Sequence, residues 1–285
     1  MQFYAGIDIG STTGKAALID ENNIICATHI IAATERPEKS AQICFSELLR
    51  KAGIDVGEIA HTIGTGYGRV LIPFANDNIS EITCHARGAK FLCPTIRTVI
   101  DIGGQDCKVI SVKEDGRVRT FAMNDKCAAG TGRFMDSQAR ALGVGIEEFS
   151  SLAASATAPA RISSQCSVFA ESEIIALVNC GTNASDIVAG IHSAIASRLI
   201  SLLRRIPVAP DITVTGGCAK NDGLLAALQK ASGLTIAKLK CDPQMVGAIG
   251  AAVLAKERAE LKRQKAEQNA APLPPRSEAT DCSNA

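Results

Sequence analysis

Two aspartates, each followed by a glycine turn, are the first residues that could carry chemistry. Asp8 begins the stretch DIGST, and Asp101 begins the stretch DIGGQD. The backbone N–H groups of a glycine turn can approach phosphate oxygens closely. A neighbouring carboxylate can hold Mg²⁺ through water, because this ion keeps several of its waters when it binds protein. A single turn of this kind is more often an ordinary hairpin turn, since Asp and Gly are common there.

The two turns belong to an internal repeat, which favours phosphate binding. Ile-Asp-Ile-Gly occurs at 7–10 and again at 100–103, with Lys15 and Lys108 at the same offset. Each unit predicts a strand, a glycine turn and a returning strand, so the sequence indicates two similar halves facing each other across a cleft. We expect Gln105 to orient an attacking water, although a turn residue bonded to its own backbone fits the same position. The residues predicted to bind phosphate or act in catalysis here are Asp8, Gly10, Ser11, Thr12, Thr13, Lys15, Asp101, Gly103, Gly104 and Gln105.

A third glycine turn, TGGCAKN at 215–221, follows an apolar strand and precedes a helical pattern. Gly216 and Gly217 would let an adenosine group come close to the backbone. A plain strand-to-helix turn fits equally well, and the spacing matches neither a P-loop nor a dinucleotide fingerprint. We place Asn221 and Gln244 among the nucleotide-binding residues as well.

Two cysteines stand at the heads of predicted helices. Cys127 precedes an expected helix at 128–142, and Cys166 precedes one at 167–178. Helix N-termini carry positive partial charge and free N–H donors, which favour the thiolate. An iron–sulfur cluster commonly takes four thiolates, so a two-fold dimer of this chain would supply a full set. A zinc ion shared by two chains, or plain packing of small thiols, fits the same spacing.

The composition narrows the function classes. The 285 residues carry a formal net charge of +1 and include no Trp, which argues against recruitment to nucleic acid or to a membrane surface. The sequence shows neither a secretory leader nor an apolar run of transmembrane length, so we expect a cytoplasmic protein. Because the cytosol keeps thiols reduced, the eleven cysteines are not expected to form a set of disulfide bonds. Apart from Cys127 and Cys166 we interpret them as packing or incidental thiols, and His85 as a structural histidine.

The apolar patterns predict a helix at 40–53 ending at Gly53, a long helix at 185–206, and a last helix with Asp242 as N-cap and Pro243 next to it. We expect two subdomains, at about 1–98 and 99–262. The composition of 263–285 predicts a disordered tail.

The order of the three glycine turns resembles the superfamily of sugar and acetate kinases, heat-shock ATPases and actin, over residues 3 to about 256. This resemblance implies an α/β fold of two similar ribonuclease H-like subdomains, with ATP and Mg²⁺ in the cleft between them.

Longer stretches are more specific: MNDKCAAGTGRF, SSQCSVFAESEII, TGYGR, EITCHARGA, AGIHSAIASR and GAIGAA. They resemble the activators of 2-hydroxyacyl-CoA dehydratases and the ATPase subunits of benzoyl-CoA reductase, which implies a BadF/BadG-type ATPase domain at 1–262. In that family a homodimer holds one 4Fe-4S cluster between its subunits, and the ligands map onto Cys127 and Cys166. The resemblance implies ATP hydrolysis coupled to delivery of a low-potential electron, taken from a reductant such as ferredoxin or flavodoxin, to a partner acyl-CoA dehydratase or reductase of anaerobic metabolism.

Two other function classes fit the glycine turns. One is a small-molecule kinase of the same fold with cysteines that bind no metal. The other is an ATP sensor without enzymatic activity. Iron and sulfide content would separate both from the activator.

Overall fold

The structure, a computed structural model, describes residues 1–125, 128–163 and 166–270. Two five-stranded sheets form its framework, and the strands of the first are β1 (Phe3–Ile9), β2 (Thr13–Asp20), β3 (Ile25–Ala32), β4 (Ile59–Thr65) and β5 (Asp77–Asn78). The strands of the second sheet are β6 (Thr98–Ile102), β7 (Cys107–Val112), β8 (Val118–Asn124), β9 (Ile212–Thr215) and β10 (Ile236–Ala237). The helices are α1 (Pro37–Ala52), α2 (Glu81–Leu92), α3 (Gly132–Leu142), α4 (Phe149–Ala154), α5 (Ser167–Asn179), α6 (Ala184–Leu203), α7 (Asp222–Ser232) and α8 (Val246–Ala270).

The two sheets repeat one topology. Their strand orders are β3-β2-β1-β4-β5 and β8-β7-β6-β9-β10. In each, the first strand pairs antiparallel with the next strand and parallel with the fourth. Asp8 lies opposite Lys15 in the first sheet, and Asp101 lies opposite Lys108 in the second. The expected pair of similar ribonuclease H-like subdomains is confirmed, down to the register of the acid and the lysine.

Helices cover both faces of the first sheet, which explains why every residue of β1 is buried. Ile7 and Leu18 pack against α1 on one face. Tyr4 and Ile19 pack against α8 on the other. Successive side chains of a strand point to opposite faces, so a near-continuous apolar run such as β1 is typical of a sheet buried on both sides.

Helices α2 and α8 cross at backbone contact. A Cβ built on Gly250 would overlap the carbonyl oxygen of Cys84, and one on Gly88 would overlap that of Val246. Glycine at these positions therefore lets the two helices approach one another. A Cβ on Gly6 of β1 would likewise overlap the carbonyl oxygen of Ala248.

Because of this packing, helix α8 belongs to the first subdomain, although in the chain it comes after the strands of the second sheet. The boundaries therefore differ from the expected division at 1–98 and 99–262, because the first core is completed by residues 245–255. Helix α8 also continues to Ala270, so residues 263–270 are helical rather than disordered. The remainder of the expected tail, residues 271–285, lies outside the described residues.

Local signals fix several helix ends. Helix α1 ends before Gly53, which has φ 67° as expected of a C′ glycine. Asp242 caps the turn Pro243–Met245 that leads into α8, accepting from the Gln244 N–H at 3.0 Å. Helix α6 ends at Leu203, earlier than the expected residue 206.

Helix α3 begins at Gly132 instead of residue 128. Gly130 has φ 94°, which an α-helix does not permit, and Thr131 is the N-cap. Residues 128–131 therefore form a turn, and the expected helix start at residue 128 is wrong; Cys127 lies outside the described residues.

Helix α6 is long and apolar enough to cross a membrane by length and composition alone. The expectation that no apolar run reaches transmembrane length is therefore wrong for this helix. Most of α6 is buried, and Ile187, Ile191, Ile195 and Leu199 belong to the core of the second subdomain. These properties are those of a core helix.

Candidate functional site

A cleft of about 630 Å³ lies between the two sheets. The strand ends that carry the three glycine turns all open into it. Every cleft residue predicted from the sequence lines this space: Asp8, Gly10, Ser11, Thr12, Thr13, Lys15, Asp101, Gly103, Gly104, Gln105, Gly216, Gly217, Asn221 and Gln244.

The first turn joins β1 to β2. The Gly10 N–H donates to the Thr13 carbonyl at 3.0 Å, which closes the turn. The Lys15 ammonium contacts the Asp8 carboxylate at 3.2 Å, and both side chains are buried. A Cβ on Gly247 of α8 would lie 2.9 Å from both Asp8 Oδ2 and His85 Nε2. The last helix therefore approaches the carboxylate closely enough to fix its position.

The second turn joins β6 to β7 and holds a buried ammonium. Lys108 Nζ lies 2.7 Å from Asp106 Oδ2 and 3.7 Å from Asp101 Oδ2. A third carboxylate, Glu81 of α2, lies 3.9 Å from the same nitrogen and accepts from Arg69 at 3.1 Å. Glu81 reaches the cleft from outside the repeated units. The sequence does not predict Glu81 as a cleft residue, because it lies in no glycine turn and at no repeated spacing.

Neighbouring side chains keep Asp101 and Lys108 charged although both are buried. Burial alone would raise the pKa of Asp101, but the charges of His85 and Lys108 and a hydrogen bond from Thr215 hold it below its usual value. Burial alone would lower the pKa of Lys108, yet Asp101 and Asp106 raise it. At neutral pH the second turn therefore presents carboxylate oxygens, the ligand type that Mg²⁺ prefers.

His85 forms part of this site rather than lying apart from it. The Thr215 hydroxyl donates to Asp101 Oδ1 at 2.9 Å. Its oxygen lies 3.0 Å from His85 Nδ1, so that nitrogen must carry the hydrogen and donate. His85 thus orients Asp101 through Thr215, a structural role performed in the wall of the cleft.

The third turn, at 215–221, requires glycine at position 216 for its backbone conformation and for lack of space. Gly216 has φ 87°, and a Cβ there would lie 3.0 Å from Asp101 Oδ1 and overlap the Ile102 carbonyl oxygen. Asn221 Oδ1 caps α7, accepting from the Leu224 N–H at 2.9 Å and from the Ser150 hydroxyl at 2.9 Å. The helix α7 and the turn before it are therefore held to α4 on the cleft side.

The donors fit a nucleotide with its metal ion. Mg²⁺ is usually bound by one or two protein carboxylates, with water and substrate phosphate completing its shell. Asp8 and Asp101 offer such carboxylates, Lys15 offers a phosphate contact, and the glycine turns expose N–H groups.

Cys166 is the N-cap residue of α5, with extended backbone and a partly buried side chain. Its predicted partner Cys127 lies outside the described residues, so the distance between the two sulfurs is not defined. Within residues 1–125, 128–163 and 166–270, no three His, Cys, Asp or Glu side chains form a group that could hold a metal. A thiolate set around Cys166 therefore needs Cys127, a second chain or both.

Most other thiols behave as packing residues. Burial raises the pKa of Cys44, Cys84 and Cys218 to about 12, and that of Cys107 and Cys241 to about 11. These groups stay protonated at neutral pH and are poor metal ligands.

A family model described as the BadF/BadG/BcrA/BcrD ATPase family matches residues 5–255. The (R)-2-hydroxyglutaryl-CoA dehydratase activating ATPase of Acidaminococcus fermentans is 45% identical over 266 residues, 91% of this chain and 99% of that protein. The activator of lactoyl-CoA dehydratase of Anaerotignum propionicum is 40% identical, over 91% of this chain and 100% of that protein. Among solved structures, the activator of the 2-hydroxyisocaproyl-CoA dehydratase from Clostridium difficile with bound ADPNP is similar, with TM-score 0.87 and 39% identity over 93% of this chain and 98% of that one.

Proposed function

The chain belongs to the BadF/BadG/BcrA/BcrD ATPase family, and on that premise we propose that it is an ATP-dependent activator that delivers a low-potential electron to a partner acyl-CoA enzyme. The relatives named above are activators of 2-hydroxyacyl-CoA dehydratases. We assign a dehydratase of this class, or a related acyl-CoA reductase, as the partner. The observation that carries the proposal is Cys166 at the start of α5, in a chain whose cleft gathers three nucleotide-type turns.

ATP hydrolysis is assigned to the two phosphate turns. Asp8 and Asp101 hold Mg²⁺ through water, and Lys15 neutralises phosphate charge. Gln105 orients the attacking water. The glycine N–H groups of both turns hold the phosphate chain, and Gly216, Gly217, Asn221 and Gln244 surround the adenosine.

Electron delivery is assigned to the cysteine segments of a homodimer. Cys127 and Cys166 from each copy complete a set of four thiolates for one 4Fe-4S cluster, which supplies the electron when bound. Cys166 occupies the N-cap position of α5, where the first N–H groups of the helix have no partner within the helix and can donate to cluster sulfur. Val168 and Phe169, next to Cys166, are large exposed apolar side chains of the kind that a second copy would cover. The protein itself receives this electron from a low-potential cytoplasmic reductant such as ferredoxin or flavodoxin.

Anaerobic purification of Cys166→Ser tests this assignment. The variant should lose most of its iron and acid-labile sulfide relative to the unchanged protein, because it removes half of the proposed thiolates. Cys180→Ser is the matched control, since Cys180 is exposed at the other end of α5. A Cys166→Ser protein that keeps the full iron content and still activates a dehydratase would overturn the cluster assignment.

The competing kinase function makes a different prediction for the unchanged protein. A kinase of this fold hydrolyses ATP only slowly without an acceptor hydroxyl, whereas the activator needs no acceptor. ATP turnover that depends strictly on an added alcohol or acid, in a protein free of iron, would favour the kinase.

A further inference from the structure

We propose that Arg133 is a positioning residue that sets the orientation of Gln105 and couples the second phosphate turn to α3, so that nucleotide in the cleft is transmitted to the cysteine segments. This inference rests on the proposed function, since it names a residue of the same ATPase site. Arg133 is exposed in the first turn of α3 and belongs to neither glycine turn.

Backbone hydrogen bonds join the start of α3 directly to the second phosphate turn. The Gly132 N–H donates to the Gly103 carbonyl, and the Arg133 N–H donates to the Gly104 carbonyl, each at 2.9 Å. The first N–H groups of a helix have no partner within the helix. Here the phosphate turn supplies those partners, so turn and helix start move together.

The Arg133 side chain adds a contact to Gln105. With its amide oxygen toward the guanidinium, Gln105 Oε1 accepts from Nη1 at 2.6 Å and from Nη2 at 3.2 Å. The reverse orientation would place amide donors against guanidinium donors, which is unfavourable. Arg133 thus decides which end of the amide is engaged and leaves the NH₂ group of Gln105 to donate to a phosphate oxygen in the cleft.

The two phosphate turns touch each other next to this junction. A Cβ on Gly104 would lie 2.6 Å from Thr12 Cγ2 and 3.2 Å from Ser11 Oγ. A Cβ on Gly132 would lie 3.4 Å from the Gly103 oxygen and from Cys218 Sγ of the adenosine turn. The first turn, the second turn and the start of α3 are therefore in consecutive contact. A phosphate chain bound by both turns sets their separation, and α3 follows the second turn.

Helix α3 connects onward to both cysteine segments. On its N-terminal side, Thr131 closes a tight turn through its N–H and hydroxyl, which both donate to the Ala128 carbonyl, at 3.1 Å and 2.7 Å. That turn follows Cys127 directly in the chain. On its flank α3 packs against α5, whose N-cap is Cys166. This route is shorter than the path along the chain through β7 and β8.

Hydrogen–deuterium exchange of the full chain with and without ADPNP tests the coupling. In the unchanged protein ADPNP should slow exchange both in the turn at 103–106 and in α3. In Arg133→Ala the turn should still respond, and the response of α3 should weaken without vanishing, because the backbone bonds from residues 132 and 133 to the turn remain. Arg140→Ala is the matched control, because Arg140 is an exposed arginine in the last turn of the same helix.

Steady-state kinetics test the orientation of Gln105. A small misplacement in an active site can cost about 10²-fold in rate, so we expect the kcat of ATP hydrolysis in Arg133→Ala to fall about ten-fold or more, with KM changed less than three-fold. The double variant Arg133→Ala/Gln105→Ala should be no slower than Gln105→Ala alone, because the two residues act as a unit. Arg133→Lys, which keeps the charge but not the paired donors, should recover only part of the rate.

The outcomes separate this inference from the proposed function. A chain that neither binds ADPNP nor hydrolyses ATP would remove the proposed function. A chain that does both, with Arg133→Ala showing normal kcat, a normal α3 response and additive behaviour with Gln105→Ala, would overturn the role of Arg133 alone. Arg133→Gln provides a second variant of similar length if the alanine protein melts earlier.

Discussion

His192 should make the protein less stable as the pH falls from 7 to 5. This residue lies on α6 with 1% of its surface exposed, and neither ring nitrogen has a hydrogen-bond partner among the described residues. Its ring packs edge-on against Phe149 and contacts Gly223 at the start of α7. Burial lowers the pKa of His192 from 6.5 to about 4. The folded state therefore keeps the ring neutral, whereas the unfolded chain takes up a proton below pH 6.5.

The size of the effect follows from the pKa change. A pKa lowered by about 2.5 corresponds to about 3 kcal/mol of stability that is present above pH 6.5 and lost as the pH falls to 4. Between pH 7 and pH 5 the loss is about 2 kcal/mol. At pH 7 the two unpartnered nitrogens also cost folding free energy, on the order of 1–3 kcal/mol for a buried polar group.

Urea unfolding of three proteins at pH 7 and pH 5 measures both terms. His192→Leu should be at least as stable as the unchanged protein at pH 7 and should lose about 2 kcal/mol less on going to pH 5. His192→Gln should share the flat pH response of the leucine variant without its gain at pH 7, because its amide remains unpartnered. Parallel pH profiles for the unchanged protein and His192→Leu would refute the reasoning.

Two further perturbations test the cleft and the helix crossing. Lys108→Met should destabilise the protein at pH 7 by about 3–5 kcal/mol in urea unfolding, because two buried carboxylates lose their cation. Lys113→Met is the control, since Lys113 is exposed. An equal loss of stability in both variants would contradict the charge argument. Gly250→Ala should lower the melting temperature and cost about 1–3 kcal/mol or more, because its Cβ overlaps the Cys84 carbonyl. Gly57→Ala, where a Cβ meets nothing within 4 Å, should melt normally.

The repeat made the sheets and the cleft predictable from the sequence. Asp8 and Asp101 each stand at the end of an apolar strand with a lysine at a fixed offset, and antiparallel pairing places acid and lysine opposite each other. The glycine turns at these strand ends then meet at one edge of each sheet. The predicted lining residues are therefore local features that need only the topology to bring them together.

Residues that depend on tertiary packing escaped prediction. Glu81 enters the cleft because α2 is held between the sheets by Gly88 and Gly250, and a crossing of two distant helices leaves no short-range pattern. The start of α3 was misplaced because the alanines after Cys127 are strong helix formers. Gly130 and Thr131 override them, and the preference of threonine for N-cap positions was the available signal.

The position of α8 has a consequence for the order in which this protein matures on the ribosome. Strands β1 and β2 are synthesised first, yet Tyr4 and Ile19 are covered by a helix that is synthesised after the whole second sheet. The second sheet and α6 are contiguous in the chain and can collapse while translation continues. The amino-terminal half must wait with one apolar face exposed, so the ATPase cleft is completed only after the second sheet has been synthesised.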